Sequence, residues 1–176
     1  MQPRRAPRKL DSAALWEYAL RILGQRPYSS AEIKQKLSRR SESPAALTTV
    51  LGKLREYGLA DDQKFSETFA SARLQNQKFG SMRILRELRA KRVASGVAQT
   101  AVEKTFAGVD ETELARRFLE KKFRGKNLTE LLKQEQHLAS AYRRLRTAGF
   151  SGRAALEALK TYSKRVEEFD EIPDQE

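Results

Sequence analysis

The residues of this chain best placed to do chemistry are basic, and they come in three groups. Arg83, Arg86, Arg89, Lys91 and Arg92 form the first, and the three-residue spacing of the arginines sets them on one side of a helix. Lys121, Lys122, Arg124 and Lys126 form the second, and Arg143, Arg144 and Arg146 the third. Guanidinium and ammonium groups hold phosphates by charge and hydrogen bonding without reading sequence, and such binding weakens steeply with salt. No helix sets Asn or Gln beside Arg in the manner of a base reader.

Catalytic chemistry has little to work with. There is no cysteine, which removes thiolate catalysis, disulfides and cysteine zinc sites and fits a reducing cytosol. The one histidine, His137, has no acid pair nearby and does not build a metal site; it is expected at the surface. Asp61 and Asp62 stand where a helix begins, so they are expected to cap it rather than to act as an acid–base pair. Neither a Gly-x-Ser-x-Gly elbow nor a Gly-x-x-x-x-Gly-Lys-Ser/Thr phosphate loop is present. No enzyme and no cofactor is expected.

The bulk charge agrees with a polyanion partner. Lysine and arginine number 35 against 23 acids, a net charge of +12. The last ten residues hold six acids and no base, so the 166 residues before them carry +18. Nucleic acid, an anionic membrane or an acidic protein would each be attracted. No apolar run approaches the ~18 residues that a membrane span needs. The start, Met1 to Lys9, is basic without an apolar core behind it, so it reads as a disordered arm rather than a secretory signal.

The elements that must carry the basic groups are helices, repeated. A shift of 51 positions sets Tyr18 on Phe69, Ala19 on Ala70, Leu23 on Leu74, Ile33 on Ile84 and Leu37 on Leu88. A looser third copy has Leu114, Phe118 and Leu119, then Leu145 before Gly149-Phe150-Ser151. The fold class expected is all-α: three tandem three-helix repeats in an elongated, curved array. The boundaries expected are a basic arm at 1–12, repeats at 13–60, 61–109 and 110–163, and an acidic tail at 164–176, unstructured after Val166. In the first repeat Leu15, Tyr18, Ala19, Ile22 and Leu23 make one stripe, Ser29 and Glu32 a capping box, and Ser43-Pro44 a helix start. Leu47, Val50, Leu51 and Leu54 face inward, and Gly58 ends the repeat. In the second, Phe65, Phe69, Ala72 and Leu74 supply the first stripe, then Ile84, Leu85 and Leu88, then Val97, Ala101, Val102 and Phe106. Phe69 to Leu88 spans 19 positions and Phe118 to Leu145 spans 27, so the third repeat holds eight extra residues around 125–136. They make a longer loop or an added turn capped by Asn127 with Glu130.

These segments resemble the RecX family of small cytoplasmic bacterial regulators. Tyr18-Ala19-Leu20 to Arg26, with Ser29 to Glu32 and Leu37, is similar to its opening helix pair. Leu54 to Asp62, followed by Lys64-Phe65-Ser66, is similar to its Gly, two apolar residues, Asp-Asp, basic, Phe-Ala stretch, with Ala60 and Ser66 as departures. Gly80, Arg83-Ile84 and Glu87-Leu88-Arg89 match the second repeat, and Lys121-Lys122 with Gly149-Phe150-Ser151 the third, over residues 13 to 162. The resemblance implies a monomer that binds the filament of RecA recombinase on single-stranded DNA, inhibits its ATPase and strand exchange, and so modulates recombination, DNA repair and the SOS response. It implies a cytoplasmic protein, with single-stranded DNA and secondarily double-stranded DNA as ligands and no membrane. The expected contact is a concave face bearing Arg83, Arg86, Arg89, Lys91, Lys121, Lys122, Arg143 and Arg144. The alternative is a sequence-nonspecific helical DNA-binding protein with no recombinase partner. A helical scaffold with a non-nucleic partner is a third class.

Overall fold

The computed structural model describes residues 9–169, and these are built of helices joined by short turns. The first repeat holds α1 (Ser12–Leu23), α2 (Ser30–Arg40) and α3 (Pro44–Glu56); the second holds α4 (Asp62–Gln77), α5 (Ser81–Ala90) and α6 (Ser95–Phe106). The third holds α7 (Glu111–Lys122), the one-turn α8 (Leu128–Leu131), α9 (Glu135–Thr147) and α10 (Gly152–Lys160), followed by a 3-10 helix, Lys164–Phe169. No strand occurs among the described residues, and one isolated parallel bridge joins Leu10 to Ser41. The all-α fold of three-helix repeats expected from the sequence is therefore the fold observed.

Local chemistry explains where the helices begin. Ser29 accepts from the Glu32 amide and Glu32 accepts from the Ser29 amide, completing the capping box. Ser43 caps α3 with Pro44 in the first turn, Asp110 accepts from the Thr112 and Glu113 amides, and Ser151 accepts from that of Ala154. The eight extra residues resolve into α8, capped by Asn127 accepting from the Glu130 amide.

The helices pack as two units within the described residues, 9–68 with 88–98 and 69–87 with 99–169. Each helix of the second repeat thus starts in one unit and ends in the other. The first unit centres on Leu15, Ala19, Ile22, Ile33, Leu37, Val50 and Leu54. The second centres on Leu114, Leu119, Leu138, Leu145, Phe150 and Leu159, with Leu74 and Phe79 half-buried against them.

Three sequence expectations are corrected. Ala72 is exposed, because the buried face of α4 runs through Phe65, Ser66 and Ala70 instead. Asp62 does not cap its own helix: Asp61 accepts from the Lys64 amide, while Asp62 Oδ1 accepts from the Ser30 amide at 2.7 Å, at the start of α2. Within the segment expected as tail, residues 164–169 form a 3-10 helix, and Val166 is buried in the second unit's core. Of the expected basic arm, residues 1–8 lie outside the described residues. Leu10 is bound on both sides, its amide donating to the Arg40 carbonyl and its carbonyl accepting from the Glu42 amide. Residues 170–176 of the acidic tail also lie outside.

Candidate polyanion-binding site

In the second unit the start of α5 meets the end of α9. The first amides of a helix and the last carbonyls of a helix have no partners within their own helix. Here they partner one another: the Gly80 amide donates to the Ala148 carbonyl at 3.0 Å and the Met82 amide to the Gly149 carbonyl at 3.2 Å. The positive end of one helix dipole faces the negative end of the other. Both contact residues are glycine for a steric reason. A Cβ on Gly80 would overlap the Gly149 backbone and the Phe150 nitrogen, and a Cβ on Gly149 would overlap the backbone of Arg83. Gly149 also holds φ +91, a backbone region that other residues rarely adopt.

This junction sets basic residues far apart in sequence beside one another. Arg83 from α5, Lys122 from α7 and Arg143 and Arg144 from α9 line one open hollow of about 380 Å³. Phe118, Ser140 and Thr147 share its wall. Arg86 adjoins it, its Nη2 donating to the Thr147 carbonyl at 3.4 Å. The cations differ in how far they are committed. Arg83 is oriented, with its guanidinium 3.7 Å from the Phe79 ring centre and its Nε 3.0 Å from Glu87 Oε1. Glu87 also faces Arg73 Nε at 2.8 Å, so one carboxylate serves two arginines and neutralises neither fully. Arg144 lies 5.9 Å above the Phe123 ring. No described carboxylate pairs with Lys122, Arg143 or Arg144. Unpaired cations around a hollow make a ready site for an anion with several charges.

The other expected site residues fall elsewhere. Lys121 belongs to the same unit but does not line the hollow, and it donates to the Asn76 carbonyl at 3.3 Å. Arg89 and Lys91 lie in the first unit. Lys91 is committed there: its ammonium is 3.0 Å from Glu32 Oε1 and its carbonyl accepts from the Ser29 hydroxyl at 2.8 Å. Burial raises the Glu32 carboxyl, but the Lys91 ammonium, the Ser29 amide and Arg26 outweigh it and hold the carboxyl below its ordinary 4.5. Phe118 and Thr147 were missed as site residues, although spacing marks them. Phe118 precedes Lys122 by one helical turn, and Thr147 follows Arg143 by one. Among the described residues no group of three His, Asp or Glu is placed to hold a metal ion. No described helix is long and apolar enough to cross a membrane.

Comparison with known proteins gives concordant results. Residues 16–54 match the family model described as RecX, first three-helix domain, and residues 61–102 that described as RecX, second three-helix domain. The chain is 38% identical over 112 residues to a regulatory protein RecX of Halorhodospira halophila, covering 64% of this chain and 68% of that one. A regulatory protein RecX of Deinococcus radiodurans is 30% identical over 162 residues, covering 90% and 74%. One from Chromohalobacter salexigens is 36% identical over 124 residues, covering 69% and 80%. The crystal structure of RecX from Lactobacillus salivarius superposes with a TM-score of 0.66 at 16% identity, over 86% of this chain and 96% of that one, a likeness of fold.

Proposed function

Because this chain belongs to the RecX family of regulatory proteins, we propose that it binds the RecA–single-stranded DNA filament as a cytoplasmic monomer and inhibits its ATPase and strand exchange. The observation that carries this reading is the hollow in the second unit, where Lys122, Arg143 and Arg144 have no carboxylate partner among the described residues. A nucleoprotein filament presents a repeating row of phosphates beside protein, and such cations would hold it through phosphates without regard to sequence. Inhibition then follows from occupancy: a body seated along the filament opposes the subunit movements of each ATP cycle. The three repeats are proposed to act together, because linked weak contacts add through effective concentration. No chemical step is assigned to this chain.

The test reverses Arg86 and Lys122 together to glutamate and measures RecA ATPase on single-stranded DNA at physiological salt. Inhibition should be lost. Undiminished inhibition excludes these residues as the contact. A protein that binds naked DNA without a recombinase could use the same hollow. A gel shift comparing bare DNA with DNA coated by RecA and a non-hydrolysable nucleotide separates the two readings.

A further inference from the structure

The first unit carries an apolar strip that the basic hollow does not explain. Three of the four large apolar side chains exposed among the described residues are here: Leu20 at 37%, Tyr57 at 66% and Leu59 at 40%. They are contiguous. Trp16, Leu20 and Leu23 recur at helical spacing along one side of α1. The Trp16 and Tyr57 rings stand 5.8 Å apart, and Leu23, Gly58 and Leu59 line one hollow of about 220 Å³. Isolated exposed apolar residues need no explanation, but a contiguous strip in so charged a chain marks a contact surface.

The charges around the strip say what it contacts. Lys53 reaches over Trp16, its ammonium 5.9 Å from the ring centre, and Lys64 borders the hollow. Exposed Glu17 and Glu56 adjoin Trp16 and Tyr57 in sequence, and Asp61 lines the hollow beside Leu59. Exposed Arg21 and Arg55 flank the strip in sequence as well, so its rim mixes both signs and is not the uniformly cationic face that suits a DNA backbone or an anionic bilayer. An apolar centre with a rim of both signs is the pattern of a protein–protein contact. The second unit's hollow has the opposite character, with cations from three helices and no carboxylate in its wall.

We infer that the strip formed by Trp16, Leu20, Tyr57 and Leu59 docks against an apolar patch of the recombinase subunit itself, while the basic hollow holds phosphate. This rests on the proposed function and divides it: protein contact in the first unit, nucleic-acid contact in the second. The experiment substitutes Tyr57→Glu with Leu59→Glu, and separately Tyr57→Ser, which alters one exposed ring and keeps the fold. Affinity is measured for RecA-coated single-stranded DNA and for the same naked oligonucleotide. The double variant should bind the coated filament about tenfold more weakly, and the serine variant should show a smaller loss in the same direction. Naked-DNA affinity should stay within about twofold, because neither altered residue lines the hollow. Trp16 is the only tryptophan, so its fluorescence reads the strip directly, and naked oligonucleotide should leave it unchanged. Quenching of Trp16 by naked DNA, or an equal loss on both ligands, makes the strip a base-stacking surface and overturns the inference. Unchanged filament affinity in both variants overturns it as well. Failure of the wild type to distinguish coated from naked DNA removes the proposed function and the inference with it, a result that no variant is needed to reveal.

Discussion

Lys91 shows why a basic residue in a cluster is not a ligand contact by membership alone. Its ammonium is fixed on Glu32 and its carbonyl on Ser29, so it joins the α5–α6 turn to the start of α2. Lys91→Ala should lower stability by about 1–2 kcal/mol, the range of a partly screened charge-assisted hydrogen bond. DNA affinity should move far less than on loss of Lys122. Urea unfolding and filter binding on one preparation check both halves. The same pair carries a pH signature. A carboxyl held below 4.5 in the folded chain stabilises it at neutral pH, and this contribution is lost as pH falls below 4.5 through the folded-state value. Wild type should therefore lose stability on acidification more steeply than Glu32→Gln does. Parallel curves would mean that Glu32 is not held down by its partners.

At the scale of elements, what holds the site together is a junction of backbones. Gly80 and Gly149 approach so closely that a methyl group on either forces α5 and α9 apart. Gly80→Ala should cost about 2–3 kcal/mol, as overpacking does, and should weaken polyanion binding beyond its effect on stability, since it separates Arg83 from Arg143 and Arg144. Gly58→Ala is the control: with φ +64 but nothing within 4 Å of an added Cβ, it should cost only about 1–2 kcal/mol. Equal unfolding midpoints for the two variants would deny the junction. The sequence set both glycines in segments that resemble the family, because such a pattern is local. That the two glycines touch was not legible, since nothing local records a partner so distant along the chain. The same limit explains Asp62. Two acids at a helix start read as a capping pair, yet only Asp61 caps; the use of Asp62 depends on where α2 lies. Ala72 failed for a related reason: alanine is equally at home on either face of a helix, so periodicity alone did not choose the face of α4 that is buried.

Across the molecule, charge and apolar surface are distributed unevenly, and the clusters read from sequence are resolved by that distribution. The three basic runs were visible as composition, and so was the family likeness spread from 13 to 162. Sequence spacing did not show that Arg83, Arg86, Lys122, Arg143 and Arg144 gather in one unit while Arg89 and Lys91 belong to the other. This assignment sets a number for the ionic response of binding. If Lys122, Arg143 and Arg144 each neutralise one phosphate of a single strand, they release about 0.7 counterion apiece and together give a log–log salt slope near −2. Exchanging Lys122 and Arg143 for glutamine should flatten that slope by about 1.4, while Arg89→Gln should leave it nearly unchanged. Titration of a labelled oligonucleotide at four or more salt concentrations gives both slopes. A flattening as large for Arg89 as for Lys122 would show that phosphate contact is shared over the whole basic surface, and that the hollow has no special part in it.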